Sequence, residues 1–97
     1  MVLGMTEEDV GKSRHTAVVK AAANVRSALG WRNITGSAAA KHIGVTQAYL
    51  SRRLNAEVPF DAGDLTLLAR LLDMTPGHLL DGEPWPEQER EVVAAPV

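Results

Sequence analysis

Two short helices hinged on one glycine, between Thr35 and Asn55, constrain this chain more than any other feature. Thr35 is a helix cap, and the run Ser37-Ala-Ala-Ala40-Lys41-His-Ile43 after it has strong helix propensity and little bulk, so a neighbour can pack close. Gly44 then supplies a tight turn, Thr46 caps a second helix, and that helix ends near Asn55. On a 3.6-residue wheel, Leu50 and Leu54 share one face of the second helix. Ala48, Arg52 and Asn55 lie roughly opposite, with Ser51 on the flank. The leucine face must pack, and the other is free to meet a ligand.

The remaining segments supply what such a hairpin packs against. A first helix is expected to end at Leu29, with Gly30 terminating it. Its Val18, Ala22, Val25 and Leu29 recur at four, three and four residues, one helical face. Thr6 with Asp9 resembles a capping box and Ser13 is a second candidate start. Gly11 weakens a continuous helix by about 1 kcal/mol, so an irregular segment is expected to about residue 12. Asp61 caps a fourth helix built on Leu65, Leu68 and Leu72. Thr75-Pro76 opens a short fifth helix through Leu80, a cap before a proline at the first helical position. Asp81-Gly82-Glu83-Pro84-Trp85-Pro86 breaks the pattern. The expected organisation is therefore a partly ordered segment over 1–12, one domain over 13–82, and a tail over 83–97 that is either disordered or a dimer contact.

The net charge of −2 conceals a strong division. Residues 10–56 carry Lys12, Arg14, Lys20, Arg26, Arg32, Lys41, Arg52 and Arg53 and no acid. Residues 57–97 carry nine acids against Arg70 and Arg90. An acid-free run that coincides with the helical hairpin is the footprint of a phosphate-facing surface. Two helices crossing at about 90–120° let the second enter a DNA major groove. There Gln47 can pair with adenine N6 and N7, Ala48 can meet a thymine methyl, and Arg52 can donate to guanine O6 and N7 or reach a phosphate. Thr35, Ser37, Thr46, Ser51 and Asn55 offer short donors that fix register on the backbone, and Lys41, Arg32 and Arg53 supply charge. Tyr49 has two readings: its ring covers the helical junction while its hydroxyl touches a phosphate, or it is partly buried with no ligand role.

From about Ile34 to Leu80 these residues resemble the lambda-repressor-like, Cro/C1-type (XRE) helix-turn-helix family. The resemblance rests on Ala40, Gly44-Val45, Gln47, Tyr49-Leu50-Ser51-Arg52, Asp64-Leu65, Leu68-Ala69 and Leu72-Asp-Met-Thr-Pro-Gly-His-Leu-Leu80. It implies an all-α, compact five-helix bundle and sequence-specific binding of double-stranded DNA. It also implies that Gln47, Ala48 and Arg52 face bases while Ser51 and Asn55 approach phosphates. Two positions depart from the family pattern. Gly36 stands where a phosphate-gripping glutamine is frequent, with Ser37 as the substitute. Arg53 stands where an aliphatic residue packs, which implies that Leu54 takes over the packing, that Arg53 lies along the surface by its stem, and that the second helix is slightly rotated.

The sequence speaks against other classes. There is no cysteine, hence no disulfide and no thiolate site. His15, His42 and His78 are scattered, so no metal or other cofactor is expected. No phosphate-cradling glycine loop, nucleophile motif or carboxylate pair suggests an enzyme. No apolar run approaches the roughly 20 residues of a membrane span, and Met1–Met5 does not read as a signal peptide, so a cytoplasmic location is expected. The expected function is a transcriptional regulator of the phage Cro or immunity-repressor kind, acting by operator occlusion. Its expected partner is a DNA operator, bound as a homodimer formed either beforehand or on the DNA, with no small-molecule ligand. The rival is an antitoxin whose acidic Glu83–Glu91 stretch docks a basic toxin.

Overall fold

The computed structural model describes residues 6–82, and these form five α-helices: α1 Glu7–Trp31, α2 Gly36–Ile43, α3 Gln47–Leu54, α4 Ala62–Leu72 and α5 Pro76–Asp81. No strand occurs among the described residues. The expectations for 83–97 lie outside them. Every helix begins where a short oxygen-bearing side chain can cap it: Thr6, Thr35, Thr46, Asp61 and Thr75 each accept from the backbone N–H three residues on.

The first four helices end alike. The residue after the last turn has positive φ: Asn33 at 58°, Gly44 at 79°, Ala56 at 61° and Asp73 at 56°. The next residue then donates back five positions, Ile34 to the Leu29 carbonyl, Val45 to Ala40, Glu57 to Arg52 and Met74 to Ala69. This hydrogen bond closes a Schellman motif. At three of these ends the donor, Ile34, Val45 or Met74, also packs against the core, which gives the stop an apolar anchor.

Two boundaries differ from those expected. Gly30 does not terminate α1; it lies within the helix, and Asn33 takes the left-handed position instead. The stop is placed by Ile34, whose side chain the core recruits, and not by the nearest glycine. The amino-terminal segment is helical from Glu7 and not irregular to residue 12. Thr6 and Asp9 form a reciprocal capping box at 3.1 and 3.3 Å, and three acids sit at the positive end of the helix dipole. An exposed Glu8–Lys12 pair at 3.4 Å adds a small increment. Together these offset the cost of Gly11. Residues 6–17 are all exposed, so tertiary burial contributes little to this part of the helix.

The core joins Val25, Ala28 and Leu29 of α1, Ala39, Ala40 and Ile43 of α2, Leu50 of α3, Leu65, Leu68, Ala69 and Leu72 of α4, and Leu79 of α5. The alanines of α2 are what let it lie close to its neighbours. Asn24 on α1 ties down the last helix, donating from Nδ2 to the Leu79 carbonyl at 2.8 Å.

Among the described residues, Ala56 is the one αL position without a residue that favours that conformation. Ala56→Gly is expected to raise stability by about 0.5–1 kcal/mol. A urea midpoint that falls would show that packing by the Ala56 methyl outweighs its backbone strain.

Candidate nucleic-acid interface

Helix α3 turns its polar arc outward. Gln47, Ala48, Ser51, Arg52 and Asn55 are all exposed, whereas Leu50 is fully buried and Leu54 half-buried. Ser37 and Lys41 on α2 are exposed as well. The oxygens of Thr35 and Thr46 accept from the Ala38 and Tyr49 N–H groups at 3.1 and 3.0 Å. A capping hydroxyl keeps its own proton, so both threonines can still donate outward. The first turn of α2 also directs backbone N–H groups and a partial positive charge outward beside α3. Gly36 at the start of α2 lines a cleft with Gln47, Ser51 and Asn55, which sets the amino end of α2 beside the exposed arc of α3; Thr35, Ser37, Lys41, Thr46, Ala48 and Arg52 are exposed as well.

Three expected contact residues are placed otherwise. Arg32, at the end of α1, is half-buried, with Nε and Nη2 shielded from solvent. Tyr49 and Arg53 turn to the opposite side of α3 from the exposed arc. Tyr49 is partly buried, and its hydroxyl donates to Asp64 Oδ2 at 3.0 Å. Arg53 does not lie along the surface: its Nη1 donates to the Tyr49 carbonyl at 3.0 Å, and its guanidinium sits 3.4 Å from the Tyr49 ring centroid. Its Nε is 3.4 Å from Asp64 Oδ2, close enough for an ion pair though not aligned as a hydrogen bond. These polar ends are engaged by partners within the protein. Leu54, in contrast, packs against the core as expected.

Sequence reasoning missed two residues. Asp64 is the one buried charged side chain among the described residues. It completes the α4 capping box with Asp61 while receiving Tyr49 and Arg53. The Asp61-x-x-Asp64 spacing announces the cap, but nothing local announces partners eleven and fifteen residues earlier. Arg26 is the other: it donates to the Leu54 carbonyl at the end of α3 and lines a shallow cleft with Gly36, Gln47, Ser51 and Asn55. At Gly36 an added Cβ would make ordinary contact with Leu54 at 3.6 Å, so space alone does not require glycine there.

Burial, then the hydrogen bond and charge of Asp64, push the Tyr49 phenol above its ordinary 10.0, with Arg53 pulling the other way. A phenol whose folded value is raised contributes stability that is complete below the unfolded value and is lost as pH rises through the folded one. The chain has one tyrosine, so its absorbance titration is unambiguous. The folded protein is expected to titrate above pH 10, and the urea-unfolded chain near 10. Coincident curves would show that the hydroxyl is not held by Asp64.

Among the described residues no helix is long and apolar enough to cross a membrane, and no three metal-binding side chains cluster. No curated protein and no solved structure matches the chain significantly. A helix-turn-helix family model matches residues 25–79, which runs from the carboxyl end of α1 into α5 and takes in the whole exposed arc of α3. The chain belongs to the Cro/C1-type (XRE) helix-turn-helix family of DNA-binding transcription regulators.

Proposed function

We propose that this regulator is a repressor of the phage or prophage kind, which acts by occluding its operator. The observation that carries the reading is the exposed arc of α3, set inside an acid-free stretch of 47 residues. An α-helix with its side chains is about 10–12 Å across, which matches the width of the B-DNA major groove. In this reading Gln47, Ala48 and Arg52 meet base edges. Thr35, Ser37, Lys41, Thr46, Ser51 and Asn55 hold phosphates, and Tyr49, Arg53 and Arg32 leave the contact set. The protein works in the cytoplasm as a homodimer on a palindromic operator, with half-sites about one helical turn apart. Occlusion needs no ligand, because covering the promoter is sufficient to exclude polymerase.

Titrating a duplex with the Arg52→Ala and Lys41→Ala variants over a range of salt tests the assignment. Arg52→Ala is expected to cost about 1–3 kcal/mol and to relax preference at one base position. Lys41→Ala is expected to weaken all duplexes alike and to reduce the log–log salt slope by about 0.9. Uniform weakening by Arg52→Ala would move that residue to the phosphate set, and an unchanged slope for Lys41→Ala would remove Lys41 from it.

A further inference from the structure

Helix α3 is anchored by two neighbouring ribs of different chemistry. One rib is apolar, Leu50 and Leu54, and Leu50 is the helix's one buried residue. The other is polar, Tyr49 and Arg53, about 100° round the helix. Apolar packing is non-directional and tolerates small rotations of a helix about its axis. Hydrogen bonds and ion pairs are directional.

The polar rib ends on one carboxylate that cannot itself move freely. Asp64 is 7% exposed, and its backbone N–H donates to Asp61 Oδ1 at 2.7 Å. Its Oδ2 receives the Asp61 N–H at 3.4 Å in the same capping box. That same Oδ2 takes the Tyr49 hydroxyl at 3.0 Å and lies 3.4 Å from Arg53 Nε. Arg53 in turn stacks on the Tyr49 ring and donates to the Tyr49 carbonyl. The amino terminus of α4 is thereby bolted to two successive turns of α3.

We propose that Tyr49, Arg53 and Asp64 form a positioning lock that sets the rotation of α3 about its axis, and so determines which bases its outer arc can read. The lock touches no nucleic acid. The proposal rests on α3 being the groove-entering helix. Rotation matters because side-chain tips lie about 5–6 Å from the helix axis, so a turn of about 20° displaces them by about 2 Å. That exceeds the tolerance of a bidentate hydrogen bond to a base edge. Arg52, sequence neighbour of Arg53, and Gln47, at the other edge of the arc, would both be carried out of register.

The test compares Tyr49→Phe, Arg53→Gln and Asp64→Asn with the parent protein in two measurements. Residual dipolar couplings of the free proteins report the orientation of α3 against α1 and α4. A changed α3 orientation is expected in Tyr49→Phe, which keeps the ring and removes one hydroxyl. An unchanged orientation overturns the lock, and this arm reads out whether or not the protein binds DNA. Titration of the preferred duplex and of an unrelated duplex gives the specificity ratio. That ratio is expected to fall about tenfold or more in Tyr49→Phe, the size of one lost base contact. The salt slope of Arg53→Gln is expected to stay at the parent value. A specificity ratio that does not change overturns the proposal. A slope reduced by about 0.9 would make Arg53 a phosphate contact and overturn it as well. If Asp64→Asn fails to fold, Tyr49→Phe carries both measurements. A parent protein that binds no duplex contradicts the DNA-binding reading, while the dipolar couplings still decide whether the lock exists.

Discussion

Replacing Asp64 with alanine is expected to destabilise the fold by about 3–5 kcal/mol, a large share of the 5–15 kcal/mol that holds a domain together. The loss has three parts. The Arg53 guanidinium, whose side chain is 16% exposed, is left without its ion-pair partner in a largely desolvated place. The Tyr49 hydroxyl loses its acceptor. The α4 capping box loses the half that Asp64 supplies to the Asp61 N–H. The residual exposure of both partners places the expected value toward the lower end. Asp64→Asn is expected to cost less, because an amide oxygen still accepts from the tyrosine. Urea unfolding measures both. A cost below about 1 kcal/mol for the alanine would mean that solvent screens the pair as it does any surface ion pair.

The second large effect is expected at Leu50. Leu50→Ala removes the one buried side chain of α3, at 1% exposure, and is expected to cost about 2–5 kcal/mol. The spread depends on how far α1, α2 and α4 can close over the gap. Hydrogen exchange will locate the damage. Amides of α3 are expected to lose protection ahead of those in α4, because α3 then keeps only its polar rib and half-buried Leu54. Ala48→Ser, on the exposed arc, serves as the contrast and is expected to stay within about 0.5 kcal/mol of the parent. Uniform loss of protection across all five helices would show that α3 is not a separable unit.

The helices of this chain were legible because their signals are local. A threonine or aspartate at each start, and apolar residues at helical spacing in α1 and α4, depend on neighbours within one or two turns. Gly44 could be read the same way, since a glycine between two helical patterns marks a left-handed stop. Gly30 was misleading for a physical reason. Glycine permits a stop but does not impose one, and the stop fell where Ile34 could reach the core. Gly11 misled similarly, because its propensity penalty is offset by the Thr6–Asp9 capping box, the acids of the first turn and the Glu8–Lys12 pair acting together.

The exposed arc of α3 was also legible, since the Leu50–Leu54 face fixes what lies opposite. The fate of Tyr49 and Arg53 was not. Both are polar residues on a helix rich in donors, and only the distance to a carboxylate on another helix separates a phosphate contact from an internal tie. Long-range pairing of this kind leaves no periodicity. Arg26 escaped for the same reason: its acceptor, the Leu54 carbonyl, is created by the end of α3 and is not a side chain in the sequence.

Sequence-specific recognition of duplex DNA through α3 is the centre of this account, and selection of binding sites from a random duplex pool tests it most directly. The expected result is enrichment of one short motif, symmetric about its centre if two copies bind. Replacing Gln47 or Arg52 should change that motif at one or two positions. Binding of the enriched duplex should weaken as salt rises, with a slope that counts the phosphates held. Recovery of no motif, together with no duplex binding at low salt, would contradict the account.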